Sequence, residues 1–222
     1  MKQFIQFKKQ RELGEMLSDV FTFLRHEFKP FFTLILQITL PYLIFFFVSF
    51  GFVLYTFGDI TALATSGPSA FDSEELSILL LVVSILVLSF TGIMVYALAY
   101  SATLHYIKSY TENNGEVNEV QVKTEVKDTF WSFIGLSILK GIAIGIGLML
   151  CIIPGIYLIV PMSVVFCIMI FEKKSVMDAF SDSFNFVKGE WWITFLVLFV
   201  VGLIISVIGG VLSLPTTIYT YI

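Results

Sequence analysis

Charge is what this sequence has least of. Of its 222 residues 14% are charged and 57% hydrophobic, where a soluble domain carries roughly a quarter charged residues. With a mean hydropathy of +0.92, that balance excludes an ordinary soluble globule and points to a polytopic membrane protein. Histidine is nearly missing, with His26 and His105 alone, too few for a histidine-rich iron site. Cys151 and Cys167 both fall in apolar runs, where a thiol behaves as a small hydrophobe, so neither a disulfide framework nor a redox compartment follows. Gly-x-Ser-x-Gly, His-Glu-x-x-His and phosphate-binding glycine loops are all absent, which removes the usual signatures of hydrolase, zinc-protease and nucleotide chemistry. No enzyme activity, cofactor, metal or nucleic-acid partner is expected. The first thirty residues hold six lysines and arginines and no early apolar run closing on small residues, so a cleavable leader is not expected either.

What is present is a series of long apolar runs. Ahead of them, residues 10–28 place Leu13, Met16, Leu17, Val20, Phe21 and Leu24 opposite Arg11, Glu12, Glu15, Asp19 and Arg25, the pattern of an amphipathic helix lying on a membrane face. Lys29-Pro30 reads as a break, and Pro41 as a kink in the first span, 31–57. Residues 58–75 hold four acids and no basic residue and read as a loop on the non-cytoplasmic side. The second span, 76–107, exceeds the length a bilayer needs and is expected to emerge as helix near 100–108. Asn113-Asn114-Gly115 is a turn signal inside the polar stretch that follows. A third span over 131–153 and a fourth over 156–171 flank Pro154-Gly155, which reads as a hairpin corner at the non-cytoplasmic interface. A second amphipathic helix over 172–190 carries Val176, Phe180, Phe184 and Val187 on one face, with Ser175 and Asp178 spaced as a capping box. The fifth span is 191–212.

Lysine and arginine positions order these runs. Six precede the first span, three lie in 108–127, three in 173–188 and none in 58–75 or 152–160. An N-terminus in the cytoplasm puts every basic loop on one face. The expected fold is therefore all-α, one domain over 1–222: a five-span transmembrane bundle, with a partial sixth span at its end, and two cytoplasmic amphipathic helices in a bacterial inner membrane.

One stretch carries more than hydropathy. "IIPGIYLIVPMSVVFCIMIFEKKSVMDAFSDSFNFVKGEWW" combines an Ile-Pro-Gly-Ile-Tyr corner, a span ending in Glu172, a Ser175-x-x-x-Ala179-x-x-x-Ser183 run and Lys188-Gly189 before the next span. In that order and spacing it resembles bacterial integral-membrane families related to the membrane domain of some glycerophosphoryl diester phosphodiesterases. The likeness covers about residues 145–195 and, loosely, the N-terminus. It implies a fold, since the phosphodiesterase chemistry of such proteins belongs to a separate soluble domain.

The residues singled out are few. Lys140 is the one ionisable side chain inside an expected span, where a charge costs several kcal/mol unless it pairs, reaches the interface or faces water. Gly141 and Gly145 form a small-residue strip suited to close helix packing. Glu172, Ser175, Asp178, Ser183 and Lys188 belong to the amphipathic helix, and Pro154 and Gly155 to the corner. The first reading of function is an assembly or accessory subunit, with membrane lipid and a partner chain or second copy as partners. The alternative is a small transporter or lipid-handling protein with a cavity near Lys140.

Overall fold

The structure, a computed structural model, describes residues 13–65 and 71–221. It is 92% helix with no strand among the described residues. Six helices follow in order: α1 Leu13–Thr65, α2 Phe71–Glu112, α3 Glu119–Leu150, α4 Ile152–Phe171, α5 Val176–Val187 and α6 Trp191–Tyr221. All but α5 are long and apolar enough to cross a membrane. The chain divides into two compact units, Glu15–Ile138 and Leu139–Ile222.

The first unit is a pair of long antiparallel helices joined by the first half of α3. Helix α1 has 53 residues, about 80 Å at 1.5 Å per residue. Its partners on α2 keep one antiparallel register: the Thr56 and Ser84 hydroxyls are 3.3 Å apart, the ring of Phe46 lies against Gly92, Phe31 meets Tyr106 edge-on and Phe23 meets Tyr110. Where α3 joins them, Phe23, Leu34, Ala102, Tyr106, Val122 and Val126 form a closed three-helix core. Elsewhere the outward faces of α1 and α2 remain apolar, with Phe45, Phe47, Val48 and Leu86 exposed.

Several sequence expectations change here. The break at Lys29-Pro30 does not occur: α1 runs through both Pro30 and Pro41. Proline removes one ladder bond, but Phe23 and Phe31, on either side of Pro30, both pack on Tyr106 and tie the turns before and after it to the same point of α2. Of the apolar residues named for 10–28, Val20 and Phe21 are exposed and Leu24 packs against the core. Phe23 and Glu27, both in contact with α2, are buried. Residues 10–12 and the side chains of Leu13, Met16 and Leu17 lie outside the described residues. The loop over 58–75 shrinks, since 58–65 are helical and α2 begins at Phe71; 66–70 lie outside the described residues. The tail after Leu212 continues α6 to Tyr221, so no sixth span begins there.

In the second unit the corner between α3 and α4 is Cys151, three residues ahead of the expected pair. Its backbone is extended, at φ −172° and ψ 154°. Its N–H closes the α3 ladder on Gly147 and its carbonyl opens the α4 ladder to Gly155. Pro154 then sits in the first turn of α4, where N–H groups have no helical partner to lose. Antiparallel pairing follows from close approaches. A Cβ built on Gly147 would lie 3.2 Å from the Gly155 Cα, and one on Gly155 3.0 Å from the Leu148 Cα. Lys140 lies over Phe166 farther along the same hairpin.

Helix α5 packs against α4. It is capped as the sequence suggests: Ser175 Oγ accepts from the Asp178 N–H at 3.3 Å and donates to Asp178 Oδ2 at 2.7 Å. Gly189, at φ +99°, ends it in the left-handed conformation glycine favours. The deepest residues are Ala179, Ser183 and Val187, while Val176, Phe180 and Phe184 are half-buried. The chain then returns along α4: Trp191 stacks on Tyr157 at 5.6 Å and donates from Nε1 to the Tyr157 carbonyl at 3.3 Å.

Candidate functional site

The densest polar chemistry lies where the C-terminal turns of α2 meet the first turns of α3. The reversal between them is built by Asn114 and Gly115, at φ 51° and 100°, conformations that asparagine and glycine tolerate best. Ser109 Oγ pins the turn by accepting from Asn118 N–H at 3.1 Å and Asn113 Nδ2 at 3.2 Å. Asn118 Oδ1 then caps α3 through the Gln121 N–H at 3.1 Å.

This hairpin faces Ser101, His105 and Lys108 toward Gln121, Glu125 and Thr129. Those two sets lie at three- and four-residue spacing, so each occupies one face of its helix. Glu125 is the hub. Its Oε2 accepts from Lys108 Nζ at 2.8 Å and lies 2.8 Å from His105 Nδ1, while Oε1 accepts from Gln121 Nε2 at 2.9 Å. His105 Nε2 is 3.0 Å from Thr129 Oγ1, which in turn donates to the Glu125 carbonyl at 2.7 Å. His105 is 2% and Lys108 6% exposed. Burial alone would push the Glu125 carboxyl up. The hydrogen bonds from Lys108, Gln121 and His105 outweigh it and hold the group at about 2, ahead of the apolar part of α3. Every side chain in this cluster has a partner within it, so it acts as an electrostatic clamp joining α2 to α3.

A second polar feature lies beside it. Tyr106 donates to Glu27 Oε2 at 2.9 Å, and Glu27 is 4% exposed. Both border a cavity of about 420 Å³ that Glu116 and Glu119 also line.

The residues singled out from the sequence are spread over the second unit rather than gathered in one pocket. Lys140 is half-buried with Nζ 5.4 Å from the centroid of Phe166, and no carboxylate among the described residues pairs with it. Gly141 and Gly145 are exposed, with nothing within 4 Å of a Cβ built on either. The strip read as suited to close helix packing therefore faces outward, and within the hairpin Gly147 and Gly155 make the close approach. Glu172 and Asp182 both bind Lys174, at 2.6 and 2.7 Å, and the hydrogen bonds to Asp182 and Glu172 push the lysine up. Ser183 is fully buried and donates to the Phe180 carbonyl at 2.7 Å. Lys188 caps the C-terminus of α5.

Sequence reading missed the Glu125 clamp, naming His105 only as an isolated histidine. The usable signal was the i, i+4, i+7 and i, i+4, i+8 polar spacing on either side of Asn113-Asn114-Gly115. His26 is exposed on α1 and takes no part in the clamp. Among the described residues no three His, Cys, Asp or Glu side chains are placed to hold a metal ion. No family model, no curated protein and no solved structure matches this chain.

Proposed function

We propose that this is a non-enzymatic multi-pass protein of a bacterial inner membrane, an assembly or accessory subunit that packs a helix of a partner chain or second copy. The observation that carries the reading is the outward position of Gly141 and Gly145. A small-residue strip with open space above it, on a helix long and apolar enough to cross a membrane, is the surface on which another transmembrane helix packs closely. Gly202, Gly209 and Gly210 on α6 are likewise open. The self-contained Glu125 clamp supports a structural role for the main polar cluster. The resemblance to the phosphodiesterase-associated membrane domains fits this reading, since what it covers is a membrane fold. The lysine and arginine distribution supports an N-terminus and residues 108–128 on the cytoplasmic side, with 58–75 outside.

Native mass spectrometry of gently extracted protein tests it. Wild type should retain a partner chain or second copy, and Gly141→Leu/Gly145→Leu should lose it while keeping its helical signal and melting temperature. A monomeric wild type, or a folded double variant with its assembly intact, overturns the reading.

A further inference from the structure

On the outward side of the α1–α2 pair, Pro41, Tyr42 and Phe45 of α1 and Leu86, Phe90 and Met94 of α2 line an open, almost wholly apolar groove of about 570 Å³. Both walls belong to helices long and apolar enough to cross a membrane. Gln37 shares the helix face of Pro41 and Phe45, at i, i+4 and i+8, one turn before the groove begins. Its Oε1 accepts from Lys123 Nζ at 2.9 Å, so an ammonium from α3 is held at the head of an apolar slot. Lys123 is also 3.8 Å from Glu119, a loose pairing that leaves it donors to spare. Lys127 lies one turn further on the same face of α3 and is exposed, and Trp131 a turn beyond it is 75% exposed. Asp128, next in sequence to Lys127, is about 100° round the helix. Two lysines followed by a tryptophan, where α3 passes from polar to apolar sequence, are the side chains that favour the headgroup layer.

We propose that the groove and these lysines bind one anionic glycerophospholipid of the surrounding bilayer. Its acyl chain lies between Pro41, Phe45, Leu86 and Phe90, and its phosphate lies at Lys123 and Lys127. Charge decides the occupant: a transmembrane helix would fill the slot but bring no anion to its head, whereas an acidic phospholipid supplies both parts in one molecule. The proposal rests on the membrane reading given above.

The test uses full-length protein in detergent, stripped of lipid and titrated with phosphatidylglycerol or with phosphatidylcholine of the same acyl chains, read by native mass spectrometry. Phosphatidylglycerol should be preferred by about thirty-fold, the ratio two lysines near an anionic group supply. Lys123→Gln/Lys127→Gln should abolish that preference while both lipids still bind. Leu86→Trp, which adds bulk to an already exposed wall residue, should weaken both lipids. Should that variant not fold, Leu86→Cys in a background without Cys151 and Cys167 should be shielded from maleimide by added phosphatidylglycerol. Equal binding of the two lipids by wild type, an unchanged preference in the lysine variant, or a Leu86→Cys that cross-links to a second copy and is not shielded by lipid, overturns the site. Failure of the protein to insert into vesicles at all overturns the membrane reading, and insertion without lipid preference overturns the site alone.

Discussion

Glu125 gathers three donors onto one carboxylate, and two of them, Lys108 and His105, are buried. Removing the anion leaves the Lys108 charge buried without compensation, so Glu125→Leu should destabilise the fold by about 3–5 kcal/mol, measured by chemical unfolding in detergent. Lys108→Met/Glu125→Leu should recover most of that loss, because it removes the charge as well as its partner. The carboxyl is held at about 2 against 4.5 for a free side chain. Its stabilisation is therefore complete above about pH 4.5 and is lost as pH falls toward 2. The acid limb of the wild-type stability curve should be steeper in that window than that of the double variant; coincident curves would show that the clamp contributes nothing. Lys140 is the opposite case, a cation with an aromatic face and no described carboxylate. Lys140→Met should leave the melting temperature unchanged or raised, and a loss of several kcal/mol would reveal a buried ion pair. Lys140 was legible because it stands alone in an apolar run. The clamp was not, because Lys108 and Glu125 are 17 positions apart and meet only once the Asn114-Gly115 reversal is formed.

Individual helices tell a similar story about proline and glycine. Five helices of spanning length were legible from apolar run length alone, since few folds other than a membrane bundle accommodate such runs. Boundaries were less so. Proline marks where a helix cannot donate a bond, which fits a first turn as well as a break; Pro154 occupies the first turn of α4, and Pro30 and Pro41 lie inside α1. Glycine likewise marks two different situations in the α3–α4 hairpin. A Cβ at Gly155 would run into the Leu148 side chain and lie 3.0 Å from its Cα, whereas one at Gly141 meets nothing within 4 Å. Gly155→Ala should therefore lower stability by about 1–3 kcal/mol through overpacking. In chains separated from any partner, Gly141→Ala should raise it by about 0.5–1 kcal/mol, since only the helix preference of alanine changes there. Thermal melts of the two variants in one detergent check the pair, and shifts of the same sign would contradict the close approach at Gly155.

At the scale of the whole molecule, two sequence expectations meet a contact that separates them. Lys173, Lys174 and Lys188 suggest that 172–190 lies on the face of the N-terminus, while the acid-rich and base-free segments put the α3–α4 corner on the other. Yet Trp191, three residues after Lys188, stacks on Tyr157, which is about 9 Å along α4 from the Cys151 corner at 1.5 Å per residue. Helix α4, with 20 residues, is about 30 Å long, enough to cross the hydrocarbon, so its two ends cannot be at one depth. Helix α5 has 12 residues, about 18 Å, and packs on α4; it carries the chain back toward the corner rather than along a surface. The Lys188 end of α5 therefore lies nearer the corner than the Phe171 end of α4 does. The native Cys151, which is exposed, and a Lys188→Cys replacement, each as the single cysteine, should respond alike to an impermeant maleimide on intact cells lacking an outer barrier. Ser66→Cys and Glu116→Cys supply the outer and inner references, and should differ from one another. Opposite responses at Cys151 and Lys188→Cys would mean that the Tyr157–Trp191 stack does not form in the bilayer. The lysines after α4 would then set the topology by themselves.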